Sequence, residues 1–255
     1  MYMSPPFAKA LTQLNHEDSS VRIRALRELG QLKAAECLTD IIRVIEKDPD
    51  DDVKVEAVRV IGQIQDIHSG SVLLSILTTD DIPMVMEAVV ALGILGAHGF
   101  TDGLVPLEHL LTHSHFTIRK YAIEAMGKCG NSGTIDKLYA HFKKEDVSIE
   151  TRQLVATAIG HIGGSKAINI LQNLVLPTGE INELQMEVRR AAIYALGEAR
   201  TPVALEVLGK VYRNKKEYKV VLKYTEAALK KTIEGAKHQY LTIKKRAEDI
   251  LKGRS

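Results

Sequence analysis

The chain has 255 residues, with 34 Lys/Arg against 32 Asp/Glu, 45% apolar residues, 5% aromatics and no Trp. That composition fills a core with Ala, Leu, Val and Ile rather than large rings, which suits helices packed at short range. It excludes a disordered chain, and no apolar run reaches the length a bilayer demands.

The net charge of +2 is unevenly spread: Lys210 to Arg254 holds fourteen Lys/Arg against five Asp/Glu. Charge divided between regions is a feature of partner surfaces. The opening MYMSPPFAKAL has neither the basic n-region nor the long apolar h-region of a secretory signal. Cys37 and Cys129 show no CxxC or metal-ligand spacing. They read as small buried hydrophobes in a reducing, cytoplasmic setting.

In chain order, Pro5 and Pro6 predict a short helix over Phe7–Leu14, followed by a loop from Asn15 to Ser20. Then comes VRIRALRELGQL, Val21 to Leu32, which the chain rewrites. Its copies are Ala25/Gly30, Ala57/Gly62, Ala88/Gly93, Ala122/Gly127, Val155/Gly160 and Ala192/Gly197, and the glycines step by 32, 31, 34, 33 and 37 residues. A period in this range marks stacked helix pairs. Asp18, Asp50 and Asp81 each precede the repeat Ala by seven residues and predict N-caps for the second helix, B, of each pair.

The first helices, A, are predicted over Ala34–Glu46, Gly70–Leu77, Asp102–Thr112, Thr134–Lys143, Ser165–Leu176 and Pro202–Arg213. B helices start near Asp51, Asp81, Phe116, Ser148, Leu184 and Lys216. The 37-residue step is assigned to a longer turn, Pro177–Leu184. Helical spacing puts Val21, Ala25, Leu29 and Leu32 on one stripe, and Val53, Ala57, Ile61 and Ile64 on another. The glycine near the helix end suits either a left-handed C-cap or a close backbone approach. A last helix, Ala236–Lys252, is expected to bury Tyr240, Ile243, Ala247 and Ile250 and to close the stack. The fold class is therefore all-α: an α-solenoid of about seven helix pairs plus a C-terminal cap. Its repeats are expected at 1–32, 33–64, 65–97, 98–130, 131–164, 165–200 and 201–235, with 236–255 as the cap, in one array.

The pattern Asp-x-x-Val-Arg-x-x-Ala-x-x-x-Leu-Gly resembles the short HEAT-like repeats of phycobiliprotein lyases. Asp18, Val21, Arg22, Ala25, Leu29 and Gly30 carry the fullest match, and Asp50, Val53, Lys54, Ala57, Ile61 and Gly62 follow it. Arg119, Arg152 and Arg189 hold the Arg position later, whereas Val85 and Leu222 depart from it. The resemblance implies a HEAT-like superhelix and structural roles for the Asp and Arg, tying neighbouring repeats together. Tetratricopeptide and ankyrin signatures do not fit.

No P-loop, dinucleotide fingerprint or HExxH motif is present. His109, His113 and His115 are the closest histidines, yet they fall in and beside a turn and read as solvated rather than as metal ligands; His68 and His98 occupy corresponding turns. The several His-Glu pairs of deoxyhypusine hydroxylase-like proteins are reduced to His16-Glu17. The aromatics that a HEAT-like DNA glycosylase would need are scarce. No catalytic residue, cofactor or metal is therefore expected.

Function is expected on the outward positions of the B helices, two before and two after the repeat Ala, at about 100° per residue. In order these are Ile23/Arg27, Val55/Arg59, Met86/Val90, Lys120/Glu124, Gln153/Thr157 and Arg190/Tyr194. The first three pairs suggest a protein-binding strip, with Ile23, Val55, Met86 and Val90 as apolar floor and Arg27 and Arg59 as anchors for acidic or carbonyl groups. The expected function is a non-enzymatic scaffold binding a protein through its concave face. The alternative is a lyase, or lyase-like chaperone, for a chromophore-bearing protein. A third is weak nucleic-acid or anionic-surface binding by the basic C-terminal region, from Lys215, Lys216, Lys219 and Lys223 through Lys230, Lys231, Lys244, Lys245 and Arg246.

Overall fold

The computed structural model describes residues 6–176, 183–214, 216–234 and 241–253, with side chains 183–185 excepted. Among them the chain is all-α, with fifteen α-helices packed as consecutive pairs. Contacts divide it into two compact units, Met1–Cys129 and Gly130–Ser255.

The first unit holds α1 (Ala8–Gln13), α2 (Ser19–Gln31), α3 (Leu38–Lys47), α4 (Asp51–Ile64), α5 (Gly70–Ile76), α6 (Ile82–Ala97), α7 (Leu104–His109) and α8 (Phe116–Cys129). The second holds α9 (Ser132–Phe142), α10 (Ile149–Ile162), α11 (Gly164–Val175), α12 (Glu183–Ala199), α13 (Pro202–Arg213), α14 (Lys219–Glu234) and α15 (Leu241–Leu251). Odd-numbered helices up to α13 are the A helices and even-numbered ones the B helices, while α15 packs on α13 and α14.

The B helices start where their caps dictate. Asp18 Oδ1 accepts the Ser20 N–H at 2.8 Å, Asp50 Oδ1 that of Asp52 at 2.9 Å, and Asp81 Oδ1 that of Met84 at 2.9 Å. Two A helices instead open on 3₁₀ turns, Ala35–Cys37 and Ile67–Ser69, so α3 begins later than the apolar pattern predicts. The chain enters the first of these from Lys33 in the left-handed region (φ 49°), which leaves room only for a tight turn. Likewise α14 begins at Lys219, not Lys216. The Glu217 carboxylate accepts the Tyr218 N–H at 2.9 Å and holds those residues in a turn.

Val53, Ala57, Ile61 and Ile64 are all buried, as are Ala25 and Leu29. Leu32 is not: it caps α2 and is 44% exposed, while Leu26 fills the core beside Ala25. Ile243, Ala247 and Ile250 are buried on α15; Tyr240 and residues 177–182 of the longer turn lie outside the described residues.

The repeat glycines serve close approach. Gly30, Gly62 and Gly93 lie within their helices rather than at a left-handed cap, and the left-handed exit from α4 is taken by Gln65 (φ 66°). A Cβ on Gly62 would sit 3.0 Å from the Ala91 Cβ, one on Gly93 2.8 Å from the Ala125 Cα, and one on Gly197 3.1 Å from the Ala228 Cβ. Neighbouring B helices thus touch backbone to backbone, whereas successive A helices meet far less. Within each unit the B side is the tighter side.

Candidate protein-binding face

The arginines of the motif are spent on structure. Arg22 is buried and grips Asp48 with Nε and Nη2, both at 2.8 Å. Its Nη1 donates to the carbonyls of His16 (2.8 Å) and Glu17 (2.9 Å). Arg119 Nη1 repeats this on the His113 and Ser114 carbonyls, at 2.7 and 2.8 Å. Arg152 donates to the Lys144 carbonyl at 2.9 Å, and buried Arg189 to that of Val175 at 2.7 Å while pairing with Glu217. These side chains pin turns to helices; Arg22 and Arg189 also bind an acid in the turn of the following repeat.

His16 and His113 belong to the same device, for each accepts the backbone N–H two residues on, from Asp18 and His115, through Nδ1 at 3.0 Å. Among the described residues no group of three His, Cys, Asp or Glu is placed to hold a metal ion. A cleft of about 310 Å³ opens beside this turn, between Leu11, Leu14, Val44 and Lys47. Its buried cation, Arg22, is already committed to Asp48 and two carbonyls.

Of the six residues proposed for binding, Arg27 and Arg59 are exposed, and Ile23, Val55, Met86 and Val90 are half-buried along α2, α4 and α6. The arginines stand in an ion ladder. Arg27 meets Glu56 through Nε and Nη2, each at 3.2 Å; Arg59 Nη1 reaches Glu56 and Nη2 reaches Glu87, each at 2.8 Å. Glu56 is buried at 5% exposure, whereas the Arg27 side chain is 57% exposed. The hydrogen bonds to Glu56 and Glu87 raise the pKa of Arg27 and Arg59 respectively, so both stay charged.

Glu56 and Glu87 are the residues that the sequence reading missed. Each stands one before a repeat Ala, and each pairs with an arginine one repeat earlier; opposite charges recurring at the repeat period are the signal that would have found them. On α8 the corresponding face carries Lys120 and Glu124, 3.9 Å apart. In the second unit, Gln153 donates to Glu187 at 3.1 Å, Glu187 pairs with Arg190 at 2.6 Å, and Arg190 lies 5.6 Å from the Tyr224 ring centroid.

The family model for HEAT repeats matches residues 7–93, 104–181 and 144–230. The chain belongs to the HEAT-repeat family. A solved structure of the CpcE–CpcF complex of phycocyanin lyase from Nostoc sp. PCC7120 is similar to it, with 18% identity and a TM-score of 0.55 over 97% of this chain and 96% of that one. YibA of Escherichia coli is similar over 97% and 92%, with 18% identity and a TM-score of 0.52. An engineered protein is similar over 97% and 73%, with 21% identity and a TM-score of 0.50. No curated protein sequence matches the chain. At these identities the likeness is one of HEAT-repeat fold. Among the described residues no helix is long and apolar enough to cross a membrane.

Proposed function

We propose that this HEAT-repeat chain is a non-enzymatic scaffold that binds a protein segment on the concave, B-helix face of its first unit. The observation that carries this reading is the ladder. Glu56 and Glu87 hold Arg27 and Arg59 in place beside half-buried Ile23, Val55, Met86 and Val90, while the arginines stay exposed. Rigid, charged donors next to apolar surface lose little entropy when a partner's carboxylates or carbonyls arrive. The test is capture by the full chain with partners identified by mass. Val55→Glu together with Met86→Glu is expected to abolish capture and leave helical content intact; unchanged capture overturns the assignment.

A second reading is supported by likeness in fold to the phycocyanin-lyase complex along nearly the whole of both chains. On that reading the same face would hold a chromophore-bearing protein. Coexpression with a phycocyanin subunit and a bilin decides it: covalently pigmented subunit favours a lyase, and colourless subunit dismisses one.

A further inference from the structure

Across neighbouring B helices, the residue two after one repeat Ala meets the residue just before the next. In the first unit that meeting is ionic, Arg27 with Glu56 and Arg59 with Glu87. In the second unit the same two positions on α12 and α14 hold Tyr194 and Tyr224, with ring centroids 6.3 Å apart and planes inclined by 50°. Tyr194 is 38% exposed, and the Arg190 guanidinium lies over the Tyr224 ring.

The outward side of α14 is cationic. Lys219 and Lys223 stand four apart on one side of the helix, with Lys216 just before it; all three are exposed, and among the described residues they form no ion pair. Nearby carboxylates among the described residues are engaged elsewhere: Glu187 with Arg190 at 2.6 Å, Glu198 with Lys231 at 2.6 Å, Glu226 with Lys230 at 2.6 Å, and Glu217 with Arg189 at 2.9 Å. Glu234 sits at the far end of the helix. Among the described residues these lysines are therefore left without a carboxylate, on or just before the helix that packs beside the exposed Tyr194 ring.

We propose that this face of the second unit binds single-stranded nucleic acid, with Lys216, Lys219 and Lys223 on phosphates and Tyr194, backed by Tyr224, stacking an unpaired base. The charge is complementary to a phosphate backbone, and base faces are what tyrosine rings read without regard to sequence. An acidic peptide would use the lysines and leave the rings idle, while a duplex keeps its base faces hidden. The assignment is independent of the protein-binding face on the first unit.

The experiment is fluorescence anisotropy of labelled oligo(dT) with the full chain across a salt series, with poly-glutamate as competitor. Binding is expected to weaken with salt. Lys219→Gln with Lys223→Gln should flatten the slope of log K against log salt by roughly 1.4, about 0.7 per phosphate contact. Tyr194→Leu with Tyr224→Leu should weaken binding roughly tenfold and leave that slope unchanged. Tyr194→Leu alone, at the exposed ring, is expected to weaken binding in the same way and keeps the aromatic arm readable if the double variant unfolds. No binding at low salt overturns the proposal. So do displacement by poly-glutamate at equal charge concentration and a folded tyrosine variant that binds like the parent, because each leaves only an electrostatic surface.

Discussion

Arg22 meets Asp48 side-on, with two parallel 2.8 Å hydrogen bonds joining the second helix of one repeat to the turn between the two helices of the next. The side chains are 8% and 5% exposed, so neither charge has water as an alternative partner. Asp48→Ala should therefore cost about 3 kcal/mol in urea unfolding of the first unit, since it strands a buried guanidinium. Arg22→Met combined with Asp48→Leu should recover part of that loss, because a filled apolar site has no charge left to desolvate.

Replacing the repeat glycine should have opposite consequences at two positions. An Ala at Gly93 would press its Cβ to 2.8 Å from both the Cα and the Cβ of Ala125, backbone that cannot withdraw. Overpacking of about 1–3 kcal/mol should then outweigh the roughly 1 kcal/mol gain in helix propensity. At Gly30 the new methyl meets the Gln63 side-chain end, which can swing away, with the Val60 Cγ1 at 3.4 Å. Gly30→Ala should be neutral or stabilising. Thermal melts of the two variants separate these signs.

The helix caps make stability depend on acid. Hydrogen bonds hold the Asp18, Asp50 and Asp66 carboxyls below their ordinary value: that of Asp18 with Ser20, that of Asp50 with Ser19 first, and that of Asp66 with the His68 backbone first. A depressed folded pKa means that the unfolded chain takes up protons first. The stabilisation is therefore complete above about pH 4–5 and is lost as pH falls below about 4 through the folded values. Urea midpoints should be level near neutrality and drop in acid. Asp50→Asn keeps a capping side chain but cannot titrate, so it should flatten part of that drop and change little at pH 7.

Glu56 has two arginines and almost no solvent. Arg27→Ala alone leaves it Arg59, and Arg59→Ala alone leaves it Arg27. Removing both strands a buried carboxylate, so the double variant should lose more stability than the two single losses together. A double-mutant cycle on urea midpoints measures the excess; additive losses would refute the coupling.

The helix pairs were legible because the glycine period aligns the copies and the caps mark where helices start; α13 spans Pro202–Arg213 as predicted. The 3₁₀ entries to α3 and α5 were not, for they depend on how the preceding helix is left. The exposure of Leu32 was hidden for a related reason: periodicity continues past the helix end, whereas the buried face does not. Outward positions at two before and two after the Ala found Arg27 and Arg59, but stepped over Glu56 and Glu87 between them. A helix wheel shows one helix, and the ladder is a property of two.

The Arg clamps on the turns grip carbonyl oxygens, which every amino acid supplies. Arg22 holds His16 and Glu17, and Arg119 holds His113 and Ser114, through main-chain atoms alone. Glu17 and Ser114, which give the joint only their carbonyls, can therefore change their side chains without loosening it. A lineage of such arrays is thus free to rewrite these positions for new partners while the stack beneath stays in register.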